Sequence, residues 1–198
     1  MRFYRISGPT LWGDYGSILI QGMSGHLPRR DGLIQLERTG PFVPPITFPG
    51  IGDVVVRDEL RGVLEHSGLA GLAFAPVIKA LIVEFRWEQW DRASESPVEL
   101  PEGGEPENYI LARPHSPQLA EEIGLLWEMI LPEENVKVDS VRIGRGAYEF
   151  RIDPTNWAGS PLFRPAGKRH VMASEEAMQR LEETAREWVD FQEATRSA

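Results

Sequence analysis

Four histidines, His26, His66, His115 and His170, are the side chains best suited to proton transfer or metal ligation near neutral pH. Zinc motifs place a second histidine or a carboxylate three or four positions away on one helix face. None of the four has such a neighbour, so each reads as a structural residue. His66 falls in the last turn of an expected helix, where a cation meets the negative end of the backbone dipole. Ser24 in "GMSGH", residues 22–26, lacks the G-x-S-x-G frame of a nucleophile elbow. "GRGAY", residues 144–148, lacks the third glycine and the following helix of a dinucleotide fingerprint. No phosphate-binding P-loop occurs. With no cysteine in the chain there is no thiolate nucleophile, no thiolate metal site and no disulfide. Carboxylates abound, but abundance alone does not select an acid–base pair. These residues point to no metal, no cofactor and no catalysis.

Charge and aromatic residues carry more information. The net charge is −9, and its distribution is uneven. Residues 84–134 hold 13 acidic and three basic side chains, a sum of −10, whereas the remaining 147 residues sum to +1. Such a field repels nucleic acid and anionic membranes and attracts a basic surface. Within it, residues 91–113 have little periodicity and read as a long acidic loop, with Tyr109, Ile110 and Leu111 as its only apolar anchor. Six tryptophans are many for 198 residues. Trp127 and Trp188 fall on apolar helix stripes and Trp87 on the inward side of a strand. Trp90 and Tyr109 sit among carboxylates. Aromatic anchors surrounded by charge are the composition of a protein-binding hot spot. Trp90, Asp91, Glu102, Glu105, Glu107 and Tyr109 are therefore the candidate partner-binding residues.

The elements that would position them follow from periodicity. Residues 1–50 are rich in Gly and Pro, with apolar runs at 3–6, 17–20 and 33–36 that read as short strands. Residues 38–52, with four prolines, read as an extended connection. Then "DVVVRDELRGVLEHSGLAGLAF", residues 53–74, reads as strand, capped helix, glycine stop and strand. Val54, Val55 and Val56 make the strand, Asp58 is the expected N-cap, and Leu60, Val63 and Leu64 form one helix stripe. Leu81, Val83, Phe85 and Trp87 alternate with Ile82, Glu84, Arg86 and Glu88 as a half-exposed strand. Ser116 caps a helix with Pro117 at its first position, and Leu119, Ile123, Leu126, Trp127 and Ile130 form its stripe. Residues 136–152 read as two strands turning at Gly144-Arg145-Gly146. The 53–74 pattern then returns at 169–191 in "RHVMASEEAMQRLEETAREWVDF", with Ser174 as N-cap. The expected fold is α+β, one domain over 1–198 with two strand–helix–strand units on mixed or antiparallel sheet. Sub-units 1–90 and 114–198 could be joined by the acidic loop.

The start of the chain, "MRFYRISGPTLW", has no apolar core or cleavage site of a signal peptide, and no apolar run approaches the roughly 20 residues that span a bilayer. The expected location is cytoplasmic. Three stretches, "RTGPFVPPITFPGIGDVVVRDELRGVLEHSGLAGLAFAPVIK", "EPENYILARPHSP" and "NWAGSPLFRPAGKRHVMASEEAMQRLEETAREWVDF", resemble bacterial immunity proteins of polymorphic-toxin systems, among them the double-CXXCG group. The chain departs from that group in having no cysteine, so any zinc ribbon of the group is absent. The resemblance implies an intracellular, non-enzymatic protein that neutralises a cognate toxin by binding it, and the acidic segment suits a toxin with a basic surface. A small enzyme or ligand-binding protein with a cleft beside the acidic loop is the alternative.

Overall fold

The computed structural model describes residues 1–50, 52–144 and 147–197. Three consecutive β-branched residues, Val54 to Val56, favour extended backbone and lie in β4 (Asp53–Arg57), all three buried. Helix α2 (Asp58–Glu65) follows directly, with Leu60 and Leu64 on its buried face and Val63 exposed. Gly68 then takes the left-handed conformation, φ 82°, and the chain turns back into β5 (Ala73–Pro76). Strands β4 and β5 do not pair with each other. Both pair antiparallel with β7 (Leu126–Ile130), which lies between them, and β3 (Ile46–Gly50) flanks β4.

The second copy of the pattern builds the same arrangement. β12 (Val171–Ser174) leads into α5 (Glu175–Ala185) and then β13 (Asp190–Arg196). Here the strand inserted between them, antiparallel to both, is β1 (Phe3–Ser7), and β11 (Leu162–Pro165) flanks β12. This sheet continues through β10 (Tyr148–Asp153) and β9 (Lys137–Arg142) on one side and β8 (Glu133–Glu134) on the other, seven strands in all. The repeated sequence pattern is thus two split β–α–β units, each on its own sheet. They share one core: Val54, Val56, Leu60, Leu64 and Met129 from the first meet Ile6, Ala173, Ala177, Leu181 and Val189 from the second. The fold is α+β as expected. The acidic loop does not divide it, however. β7 follows the loop yet completes the first unit, and β1 precedes it yet completes the second. The sub-units 1–90 and 114–198 therefore do not exist as separate bodies.

Several local readings change, each for a physical reason. Residues 17–20 belong to a helix, α1 (Asp14–Gln21), whose Leu19 and Ile20 are fully buried. Residues 38–52 are strand at both ends, in β2 (Gln35–Gly40) and β3. β2 pairs in parallel with β6 (Ile78–Glu84). The acidic loop contains a short helix, α3 (Asn108–Leu111). The helix capped by Ser116 is only α4 (Pro117–Glu122), because Gly124 at φ 71° ends it, and Leu126, Trp127 and Ile130 continue as β7. Arg57 rather than Asp58 holds the N-cap position of α2, with no side-chain cap. The Asp58 carboxylate instead accepts from Trp127 Nε1 at 2.8 Å and Arg61 Nε at 3.0 Å. Ser174 does cap α5, accepting from the Ala177 N–H at 3.3 Å. Arg145 and Gly146 of the expected turn lie outside the described residues, and the flanking β9 and β10 pair antiparallel as that turn requires.

Two buried polar side chains bear on stability. Glu134, 2% exposed, accepts the N–H groups of Ala158 at 2.7 Å and Ser160 at 2.9 Å. Burial alone would push its carboxyl up, but the hydrogen bonds from Ser160 and Ala158 together hold it below its ordinary range. A depressed folded-state pKa stabilises above the unfolded value and is lost as pH falls through the folded one. Glu134→Gln should therefore cost about 1–2 kcal/mol in denaturant unfolding at pH 7. That gap to wild type should narrow below pH ~4. The second is Arg38, fully buried on β2. Its Nε donates to the Thr39 carbonyl at 3.1 Å and its Nη2 to the Ile20 carbonyl at 3.3 Å, while Nη1 has no partner. No carboxylate pairs with it among the described residues.

Candidate functional site

The acidic loop is anchored by aromatic packing. Trp87, fully buried, presents its ring to Trp12, Phe42 and Trp188 at centroid distances of 6.5, 5.4 and 6.2 Å. Its Nε1 donates to Thr39 Oγ1 at 3.1 Å, and that hydroxyl donates to the Leu19 carbonyl at 2.9 Å. Phe85 extends the cluster to Trp90 at 5.4 Å and to Tyr109 at 5.1 Å. The segment that follows β6, with Phe85 and with Trp87 in a 3-10 turn rather than on the strand, is fixed here to helices α1 and α3.

Tyr109 belongs to this core rather than to the surface. It is 0% exposed, and its phenol donates to the Glu99 carbonyl. Burial, with Glu99 and Tyr15 nearby, pushes the phenol up to about 12. It offers no contact area to a partner, because a loop with few apolar residues is held by burying its one aromatic together with Ile110. Trp90 is half-buried against Trp12 and Phe85. The carboxylates behave as expected of a surface: Asp91, Glu95, Glu102, Glu105 and Glu107 are all exposed. Asp91 Oδ1 accepts the Ala93 N–H at 2.9 Å in a local turn. None of the five makes an ion pair among the described residues, whereas Glu84 pairs with Arg86 and Glu99 with Arg113. The loop backbone is tied further by Tyr15 donating to the Gly104 carbonyl at 3.1 Å and by Asn108 Nδ2 donating to the Glu102 carbonyl at 2.8 Å. Two carboxylates of the acidic segment are interior, Glu134 as described and Glu128, which receives two 2.7 Å hydrogen bonds from Arg29.

The histidines are held by local partners. His26 Nδ1 lies 2.8 Å from the buried Glu37 carboxylate. His66 Nδ1 lies 2.7 Å from the Gly62 carbonyl at the end of α2. His115 Nδ1 accepts the Ile82 N–H at 2.9 Å. His170 stands edge-on to Phe150 at 5.1 Å, and burial, with Arg5 and Lys168 nearby, pulls it below its ordinary value. Among the described residues no three histidine or carboxylate side chains are grouped to hold a metal ion.

The best-formed cavities lie away from the acidic segment. None is lined by any residue of 84–134. One of about 520 Å³ opens where the N-terminus of α1 meets the ends of β1 and β3 and the start of β12. Sequence reasoning missed it, because its walls come from residues between 5 and 21, from Phe48, Gly50 and Gly52, and from 169–171, and no local motif joins these segments. A scan against protein-family models returns no match for this chain, and a search among curated proteins returns none. No helix among the described residues is long and apolar enough to cross a membrane.

Proposed function

We propose that the protein acts by binding another protein, as an immunity-type inhibitor whose acidic face docks on the basic surface of a cognate toxin in the cytoplasm. The observation that carries this reading is the set of five exposed carboxylates, Asp91, Glu95, Glu102, Glu105 and Glu107, unpaired among the described residues. They lie on a loop whose backbone is tied to an aromatic core. Charges fixed in place, rather than spread over a floppy segment, steer a basic partner and raise its association rate. Trp90 supplies the apolar contact at the edge of this face. The alternative, a small enzyme with a cleft beside the loop, finds less support, since four cavities formed by the described residues draw no wall from 84–134.

The test is co-expression with the product of the adjacent reading frame. Glu102→Lys, Glu105→Lys and Glu107→Lys together change exposed side chains only, so the melting temperature should hold. Association should slow by about tenfold or more at low ionic strength, and protection of the cell should weaken. Equal protection and equal association kinetics for the triple variant would remove the acidic face from the interface. Absence of any complex with wild type would remove the reading itself.

A further inference from the structure

One face of the seven-stranded sheet packs on the shared core through Ile6, Leu162, Val171 and Ala173. The opposite face is covered only in part. Phe3, Met172, Ala194, Phe150 and Ile152 alternate to that side and pack together. Trp157 closes this cluster, edge-on to Phe3 at 5.2 Å. Beyond Phe3 along β1 the face opens into a cavity of about 420 Å³, lined by Arg5, Ser140, Tyr148, Phe150, His170 and Gln192. Strand register brings these residues together. Arg5 lies opposite Gln192 on one side and Met172 on the other, Phe150 lies opposite Ser140, and His170 immediately precedes β12.

Arg5 is the fixed charge of this wall. Its guanidinium carbon stands over the Phe150 ring, 5.2 Å from the centre, and His170 stands edge-on to the same ring at 5.1 Å. Of the five N–H groups of the guanidinium, one reaches Ser7 Oγ at 3.4 Å, and the others find no acceptor among the described residues. No carboxylate among the described residues comes within ion-pair distance of it. Burial pulls Arg5 below its ordinary value, and the charge of Asp190, which is not on the wall, offsets this only in part. Burial, with Arg5 and Lys168 nearby, also pulls His170 down, so its imidazole is neutral at pH 7. Tyr148, 45% exposed, adds an aromatic surface at the rim.

A half-buried guanidinium, braced by an aromatic ring and lacking a counter-ion, presents the fork that matches the two oxygens of a carboxylate. One fixed cation beside a neutral imidazole suits a monoanion better than a phosphate dianion. The rest of the wall is aromatic or polar and uncharged, as in sites that hold a ring and orient it with few hydrogen bonds.

We infer that this pocket binds a small carboxylic acid carrying a planar ring, its carboxylate on Arg5 and its ring against Tyr148. The volume lies within the range of small-molecule sites. The inference is independent of the acidic face, since none of the lining residues belongs to 84–134.

The test is calorimetric titration of the protein at fixed ionic strength with benzoate, 4-hydroxybenzoate and indole-3-acetate. Acetate is the control without a ring and benzamide the control without a charge. At least one ring acid should saturate with a Kd below about 1 mM, and both controls should bind at least about tenfold more weakly. In proton NMR the ring resonances of His170 should move during the titration, while those of His26, His66 and His115 stay in place. Arg5→Gln and Ser140→Glu should each weaken binding by about threefold or more, the first by removing the cation and the second by repelling the anion. Ser140 is exposed, so Ser140→Glu should keep the wild-type melting temperature and decides the matter even if Arg5→Gln folds poorly. The inference is overturned if no ring acid saturates below about 1 mM, or if either control comes within about tenfold of the best ring acid. It also falls if Ser140→Glu binds within about threefold of wild type, or if the His170 resonances do not move.

Discussion

Replacing Trp87 by alanine should lower stability by about 3–5 kcal/mol, the range for truncating a buried large aromatic. The site has little freedom to collapse. Trp87 is 0% exposed, and three further aromatic rings, Trp12, Phe42 and Trp188, stand edge-on to it. Removing the indole also takes the donor from Thr39 Oγ1, a buried hydroxyl. Denaturant unfolding followed by circular dichroism measures the loss. The same substitution should expose the acidic loop to proteases, because Phe85, Tyr109 and Trp90 pack in the cluster that Trp87 centres. Trp87→Phe separates the two contributions, since it keeps most of the packing and drops only the hydrogen bond. A loss under about 1 kcal/mol for the alanine variant would mean that the cluster repacks and does not hold the loop.

Arg38→Met should act in the opposite direction, leaving stability unchanged or raising it by about 1–3 kcal/mol at pH 7. Burial, and the charge of Arg57, pull the Arg38 guanidinium down to about 9. At neutral pH it stays charged, so the folded state carries an ion in its interior with two carbonyl acceptors and no counter-ion among the described residues. Methionine has similar length and flexibility and needs no solvation. The expected result is a raised denaturation midpoint with an unchanged denaturant slope. A loss of more than about 2 kcal/mol would show that the carbonyls of Ile20 and Thr39 depend on this side chain more than the buried charge costs.

The strand–helix–strand units were legible because their signals are local. Val54 to Val56 and Ser174 with Glu175 and Glu176 announce strand and cap within a few residues. The inserted strands were not legible, since nothing in "RFYRIS" states that it will pair with residues 171–174 and 190–194. Leu126 and Trp127 continue the spacing of a helix begun at Pro117, and only the left-handed Gly124 separates the two elements. Asp91, Glu102, Glu105 and Glu107 were placed on the surface by charge alone, and there the structure agrees. Tyr109 was misplaced because an aromatic among carboxylates looks the same in sequence whether it faces out or anchors the loop inward. The cavity at the start of α1 lies beyond sequence reasoning, as its residues meet only through pairing of distant strands.

The exchange of inserted strands also sets an order of events during synthesis. The first unit can close once β7 has been made, at residue 130, because β3, β4, α2 and β5 all precede it. The second cannot. β1 is made early and must wait, unpaired on both edges, until β12 and β13 emerge from the ribosome at the other end of the described chain. Until then Phe3 has no core to enter, since every other member of its cluster lies at residue 136 or beyond. A long-range closure of this kind is slow, and an early strand with two open edges is exposed to wrong pairing while it waits.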